Sequence, residues 1–357
     1  MKHAFSGPLG GAILAAFLVS GVAQGGDYLE RDEVQAFVDQ AVGETGVDRT
    51  QIEAWLDDAE YQQKIIDAIT RPAESKTWGE YRPIFLTDKR IERGAAFVDE
   101  HRDLLEEVAA TYGVSPYVIT AIIGVETFYG RITGGYRVID ALATLGFDYP
   151  RRGEFFRGQL VDFIRLAGEE GISMDEAEGS YAGAMGLPQF IPSSYRHYAV
   201  DGDGDGRRDL WGSHHDVFAS VANYFVEHGW GQGEPVMFEV DVNGADVDDL
   251  LNEKRDLAPK TSLAELRDRG VTVPDDAPVP DDFEVMLFTL TDGDDVAYHV
   301  GLNNFYVITR YNHSVLYATA VWQLAEAIED AVEKPVEAAE NGAGAAASVP
   351  GDGANAG

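Results

Sequence analysis

The stretch Pro116 to Gly130, read as PYVITAIIGVETFYG, constrains the fold more than any other part of the chain. It is apolar on nearly every side for more than three helical turns, and a helix of that kind is buried all round. Other segments must wrap around it, and 357 residues are enough for two or three domains with a sizeable core. Near its end stands a single carboxylate, Glu126, beside Phe128 and Tyr129. An unpaired carboxylate in an apolar setting is costly, so it holds its proton to a higher pH. That is the property wanted of a general acid near neutrality. The alternative is that Glu126 ends its helix and points to water, and the segment alone allows both.

The flanking pattern is largely helical. From Tyr28 to Thr70, Val34, Phe37, Val38 and Ala41, then Ile52, Trp55 and Leu56, then Ile65, Ile66 and Ile69 recur at helical spacing, until Arg71-Pro72 stops the run. A later amphipathic helix presents Ala95, Phe97, Val98, Leu104, Leu105 and Val108 on one side and ends at Gly113. Ser115 and Pro116 then occupy cap and first-turn positions for the helix of Glu126. Helix resumes from Val138 to Leu145, with Asp140 expected to cap it, and again from Phe155 to Ala167. Ahead of the latter, Arg151 and Arg152 stand side by side, suited either to binding carboxylates or to surface salt bridges with Glu154.

Two stretches carry chemistry of their own. In GSYAGAMGLPQFIPSSY, small residues allow close backbone approach, while Ser180, Gln189, Ser193 and Ser194 offer neutral hydrogen-bonding groups among aromatics. The combination suits a hydroxyl- and amide-rich ligand such as a sugar chain; a tight helix pair would use the same small residues but would have little need of Gln189. In DGDGDGRRD, Asp201, Asp203 and Asp205 stand at positions 1, 3 and 5 of a calcium loop, Gly206 at the turn and Asp209 at position 9. Position 12 is Gly212, so a later acid would have to close the loop, and Asp216 is the candidate. Carboxylates this dense repel one another without a cation. The expected role is structural, tying the loop to a helix from Val217 to His228.

Residues 233–300 change character. EPVMFEVDV alternates like a strand, Ser262 to Gly270 reads as a short helix, and FEVMLFTLTDGDDVAYHVGL as a hairpin turning at Asp292-Gly293. Helix returns from Ser314 to Val332, led by NNFYVITRYNHS, and residues 333–357 have the composition of a disordered tail. The expected division is a signal peptide at 1–23, a helical domain and core with the calcium loop at 24–232, a small α/β insertion at 233–300, and a return to the core at 301–332.

The first 23 residues carry a lysine near the start, a short apolar run and small residues before the expected cleavage site, which predicts export. The chain has no cysteine, which leaves no disulfide, thiolate metal site or lipid-bearing N-terminal cysteine. No later stretch is long and apolar enough to span a membrane, so a soluble periplasmic protein is expected. A net charge of −35 argues against binding nucleic acid through a basic surface. The acids are spread along the chain, as on a solvated, salt-adapted surface.

Taken in order, EYR at Glu80, AIIGVETFYGR, DALATLGFDYPRR, GSYAGAMGLPQFIPSSY, the aspartate loop, SVANYF, and FYVITRYNHS with WQLAEAI resemble the lytic murein transglycosylases of the B type, glycoside hydrolase family 103. The resemblance runs from about Tyr28 to Val332. It implies a mainly α (α+β) protein: a lysozyme-like helical catalytic core with an N-terminal helical domain and a small α/β insertion. It also implies cleavage of the β-1,4 bond between N-acetylmuramic acid and N-acetylglucosamine in peptidoglycan glycan strands, leaving 1,6-anhydromuramic acid ends, with no organic cofactor. By that resemblance Glu126 is the catalytic acid and base, and Ser180 and Gln189 hold the glycan or the reacting sugar. Tyr81, Tyr224, Tyr311, Asn312 and Tyr317 line the cleft, and Arg151 and Arg152 face the peptide stems. Asp201, Asp203, Asp205, the Arg207 carbonyl and Asp216 are matched to the family's calcium loop. The segment from Trp211 to Val217 looks slightly longer than the family's, and the acidic surface and tail are not part of its pattern.

A glycosidase that works with two carboxylates needs a nucleophile or a base besides its acid. No second acid in an equally apolar setting accompanies Glu126, and Asp140 is the nearest candidate. The lone acid favours ring closure. The competing expectations are a lysozyme-like muramidase that admits water, and a murein-binding module without catalysis.

Overall fold

The computed structural model describes residues 28–71, 76–252 and 256–333. The expected signal peptide and the segment after Glu333 lie outside the described residues. The first layer is α1 (Asp32–Thr45), α2 (Arg49–Asp58) and α3 (Gln63–Ile69). Next come α4 (Trp78–Phe85), α5 (Asp88–Glu100), α6 (Arg102–Tyr112) and α7 (Pro116–Thr127). Strand β1 (Tyr136–Arg137), α8 (Val138–Asp148), α9 (Gly153–Glu170), β2 (Glu178–Gly179), α10 (Pro192–Tyr198) and α11 (His214–Glu227) complete the first part of the core. Then follow β3 (Met237–Val240), β4 (Thr261–Ser262), α12 (Leu263–Asp268), β5 (Glu284–Asp292) and β6 (Asp295–Gly301), before α13 (Asn303–Tyr311) and α14 (Val315–Glu333).

Helix α7 is the axis the sequence demands. The Ser115 side chain accepts a hydrogen bond from the Tyr117 N–H at 3.2 Å, and Pro116 takes the first turn, where a missing N–H leaves nothing unpaired. Ile119, Ala121, Ile122 and Ile123 are fully buried, and α5, α6, α11 and α14 pack around them. Each buried isoleucine contributes about 1.5–3 kcal/mol. The helix ends where Phe128 and Tyr129 both take left-handed backbone angles, φ 52° and 60°. The turn brings the Tyr129 ring back over Gly124, and its hydroxyl donates to the Arg90 carbonyl at 2.8 Å.

A Cβ added at Gly124 would stand 2.8 Å from that ring. Helix propensity alone would make alanine better than glycine there by about 1 kcal/mol. Overpacking reverses the sign: Gly124→Ala is expected to destabilise by about 1–3 kcal/mol. Urea unfolding checks it, and a stabilised variant would mean that the Tyr129 ring yields freely.

Three expectations need correction. The amphipathic helix around Phe97 and Leu105 is two helices, α5 and α6, broken at His101, where φ is −116° and ψ 19°. The His101 ring there stacks on His214 at 4.3 Å and meets Phe97 edge-on at 4.5 Å, so a tertiary aromatic cluster fixes the bend. Asp140 does not cap its helix. It lies buried in the first turn, paired with Arg137 at 2.8 Å, and accepts the Glu60 N–H at 2.8 Å, joining α8 to the first helical layer. Finally, Asn303 to Tyr311 is a helix of its own, α13.

The insertion is a four-stranded antiparallel sheet in the order β3-β6-β5-β4 with α12 against it. The hairpin pairs Asp292 with Asp295 and turns through Gly293, whose φ of 61° suits a two-residue turn. Strand β5 is buried on both faces. Val285 and Leu287 join the insertion's own core with Val240, Leu263, Leu266 and Val300, while Met286, Phe288 and Leu290 face the main core. Phe288 stacks on Phe305 of α13 at 4.7 Å.

Candidate active site and aspartate loop

Glu126 stands one residue before the end of α7, so the helix that buries it also presents it at the mouth of the core. Protein atoms crowd its carboxyl group, which keeps a partial opening to solvent. Desolvation pushes its pKa up to about 7, against a smaller lowering by the hydrogen bond from Tyr317. That bond, Tyr317 Oη to Glu126 Oε1, is 2.5 Å long and joins residues 191 positions apart in the chain. The reading in which Glu126 merely faces water is therefore set aside.

Tyrosines surround the carboxylate. Tyr317 of α14 is buried, and its ring lies parallel to that of Tyr311 at 6.5 Å. Both hydroxyls are raised well above the usual tyrosine value, first by burial and then by the Glu126 charge. Tyr81 of α4 also lies in the field of Glu126; burial and that charge raise it to about 12. The Tyr311 hydroxyl donates to the Pro188 carbonyl at 2.6 Å, fastening α13 to the Gln189 loop. Tyr224 sits one layer back: its ring is 4.8 Å from Tyr311, and its hydroxyl donates to the Arg310 carbonyl at 2.5 Å. Tyr224 supports Tyr311, and Asn312, exposed at the end of α13, has an extended backbone.

The serine and glutamine belong to one loop system, in which Met185 bridges both Gly179 and Phe190. The Ser180 Oγ accepts the Ala182 and Ala184 N–H groups at 3.2 and 3.1 Å. Gln189, at φ 54°, donates through Nε2 to the carbonyls of Thr133 and Gly186 at 3.0 and 2.9 Å. Its Oε1 has no protein partner among the described residues. Gly134, at φ 106°, lies so close to the Gly179 carbonyl that a Cβ would stand 2.0 Å from it. Thr127 is a residue the sequence reading missed: its Oγ1 bonds the Leu187 carbonyl at 3.1 Å and accepts the Gly130 N–H at 3.0 Å. It ties the end of the Glu126 helix to the Gln189 loop, and a hydroxyl next to Glu126 in the last turn of a largely apolar helix was its signal.

Arg151 and Arg152 are exposed in the turn between α8 and α9. They stand at the far end of α8 from β1 and β2, about 16 Å along the helix at 1.5 Å per residue. Arg152 lies over the rings of Phe155 and Phe156 at 4.3 and 5.1 Å. Among the described residues neither arginine forms an ion pair, so the salt bridge with Glu154 does not form.

In the aspartate loop, carboxylate oxygens of Asp201, Asp203 and Asp205 lie within 4.8 Å of one another. Gly204 and Gly206, at φ 74° and 92°, curl the backbone around them. Asp201 accepts the N–H groups of Gly204 and Gly206 at 2.8 and 2.9 Å. Asp216 lies outside that cluster. It is 1% exposed, and its two oxygens accept the N–H groups of Gly202 at 2.8 Å and Asp209 at 2.6 Å, clamping both ends of the loop to α11. The three clustered carboxylates are hard oxygen donors of the kind calcium takes.

The chain matches the transglycosylase SLT domain family over residues 30–326. It is 40% identical over 314 residues to the membrane-bound lytic murein transglycosylase B of Escherichia coli (strain K12), covering 85% of this chain and 84% of that protein. Its structure resembles the catenated lytic transglycosylase SltB1 from Pseudomonas aeruginosa, with a TM-score of 0.80 and 47% identity, over 85% of this chain and 98% of that one. It also resembles the Escherichia coli lytic transglycosylase Slt35 in complex with calcium, with a TM-score of 0.79 and 40% identity, over 87% and 97%. SltB3 from Pseudomonas aeruginosa in complex with NAG-anhNAM-pentapeptide matches at a TM-score of 0.72 and 34% identity, over 83% and 78%. The tyrosine-ringed acid on its buried helix is thus set in a lysozyme-like frame, and the chain belongs to the transglycosylase SLT domain family as a lytic murein transglycosylase of the B type.

Proposed function

We propose that this transglycosylase cleaves the β-1,4 bond between N-acetylmuramic acid and N-acetylglucosamine with Glu126 as its one proton-transferring group. The supporting observation is a buried acid with a pKa of about 7 and, among the described residues, no second carboxylate beside it: Asp140 is held by Arg137 and the Glu60 N–H. Protonated Glu126 gives its proton to the glycosidic oxygen as the bond to C1 breaks, releasing the 4-hydroxyl of N-acetylglucosamine. The acetamido group of the muramic acid stabilises the cationic C1. Glu126, now a carboxylate, takes the proton of the 6-hydroxyl while that oxygen bonds C1 and closes the 1,6-anhydro ring. The acid is thereby restored without water.

Tyr81, Tyr311 and Tyr317 supply apolar walls for sugar rings, and the free Oε1 of Gln189, with Ser180, supplies hydrogen bonds. Asn312 sits at the rim, and Arg151 and Arg152 meet acidic groups of the peptide stems farther along. Analysis of digested murein by mass spectrometry tests the reaction: anhydro ends support it, water-added ends would replace it with hydrolysis, and intact murein with binding alone. The N-terminal pattern and the murein substrate support export to the periplasm. Among the described residues no single helix is long and apolar enough to cross a membrane.

Asp201, Asp203, Asp205 and the Arg207 carbonyl are the proposed calcium ligands, with Asp216 as the closing acid or as the anchor of the loop. Bound calcium would cancel the repulsion among the carboxylates and fix the approach to α11. A ligand held only by the folded state at 100 times its Kd stabilises by about 2.7 kcal/mol. Chelator is therefore expected to lower the Tm by several degrees and added calcium to restore it. An unchanged melting curve would remove the ion from the loop.

A further inference from the structure

We infer that the α/β insertion positions Tyr81, through contact of Asp292 at the tip of its hairpin with Gly79 of α4. This rests on the reading that Tyr81 touches the glycan. A Cβ added at Gly79 would stand 2.0 Å from the Asp292 Oδ1, 2.6 Å from its Cγ and 3.3 Å from its Cα, so the hairpin tip lies directly against the first turn of α4. The hairpin is held at its base, and residues 292–296 at its tip are exposed. Strand β5 is buried on both faces, Phe288 is stacked on Phe305, and Gly301 of β6 leaves room for no more than its hydrogens between Met286 and Phe305.

Helix α4 is short and could not hold its place by itself. Its first turn is closed by a capping box between Thr77 and Glu80, β5 packs on one side, and α14 packs on another. At its far end Phe85 and Phe128 enclose the Arg90 guanidinium, each ring 5.1 Å from it. Helix α4 thus bridges the insertion and α14, which carries Tyr317, and meets the end of the Glu126 helix through Arg90 of α5. Of its side chains, Tyr81 is the one in the field of Glu126, two residues from the Asp292 contact. A carboxylate against the N-terminal turn also suits the helix dipole. Gly79 and Asp292 are positioning residues: neither touches the sugar, and together they set how far the Tyr81 wall stands from Glu126.

The test is a double-mutant cycle on purified murein or a soluble glycan, reading KM and kcat separately together with Tm. Gly79→Ala is expected to raise KM about fivefold and to lower Tm slightly, with kcat within twofold. Adding Asp292→Gly removes the clashing atoms and should return KM to within twofold of the parent. In a Tyr81→Ala background, which itself raises KM, Gly79→Ala should add nothing. A normal KM for Gly79→Ala beside a raised KM for Tyr81→Ala overturns the role of the hairpin alone. An unchanged KM for Tyr81→Ala overturns that role and the reading of Tyr81 as a sugar wall together. If Gly79→Ala still raises KM in the Tyr81→Ala background, the contact acts by another route and the inference is overturned.

Discussion

Glu126→Gln is expected to lower murein turnover by about 10³-fold or more while leaving glycan binding within a few-fold, since general acid–base catalysis is worth about 10²–10⁴ per group and here one group serves both steps. Glutamine keeps the shape and can still accept the Tyr317 hydrogen bond, but it has no proton to give at any working pH. The same acid sets the pH dependence. Burial raises Glu126 to about 7, so it is protonated below that value and kcat/KM should fall as the pH rises through it. Stability carries the same sign. A group whose folded pKa is raised lends stability that is complete below its unfolded value, about 4.3, and is lost as the pH climbs through about 7. Glu126→Gln carries no such loss, so it should match the parent near pH 4 and melt higher than the parent at pH 8. Near-normal turnover in this variant would overturn the assignment of Glu126.

What the sequence disclosed follows from where the controlling interactions lie. Burial of α7 was legible because its apolar residues leave no wet face, and the aspartate loop because its three carboxylates stand at alternate positions of one short stretch. The α/β character of residues 233–300 was legible from the alternation of EPVMFEVDV and the Asp292-Gly293 turn, whereas β5, buried on both faces, reads as a nearly continuous apolar run. The break at His101 was not, because its cause, the His214 ring, comes from a helix more than a hundred residues away. Helix α13 was hidden because NNFYVITRY is rich in aromatic and β-branched residues, and only burial of Phe305, Val307 and Ile308 decides its form. Asp140 misled for a related reason: a short-range capping role looked sufficient, whereas Arg137 and the Glu60 N–H use its carboxylate to join two layers. The site shares this division. Glu126 was readable as a lone acid, but its partner Tyr317 becomes visible only when α7 and α14 are packed together.

Tyr317→Phe tests that partnership and is expected to have the second largest effect. The hydroxyl donates to Glu126 Oε1 at 2.5 Å, and a donor on a carboxylate favours the charged form. Its removal should therefore raise the Glu126 pKa above about 7 and move the alkaline limb of kcat/KM upward. The rate should fall even so, because negative charge develops on Glu126 as the glycosidic oxygen takes its proton, and the lost bond is the one that stabilises that charge. Hydrogen bonds to charged groups are worth about 1.5–3 kcal/mol, which corresponds to about a ten- to hundredfold loss in kcat. Phenylalanine keeps the ring that packs beside Tyr311, so the fold should hold. In the Glu126→Gln background the same substitution should cost little more, because no charge develops there. The two effects oppose each other at alkaline pH: slower chemistry, but more of the enzyme in its protonated form. A limb that moves down instead would mean that Tyr317 acts on Glu126 by excluding water, with the hydrogen bond secondary.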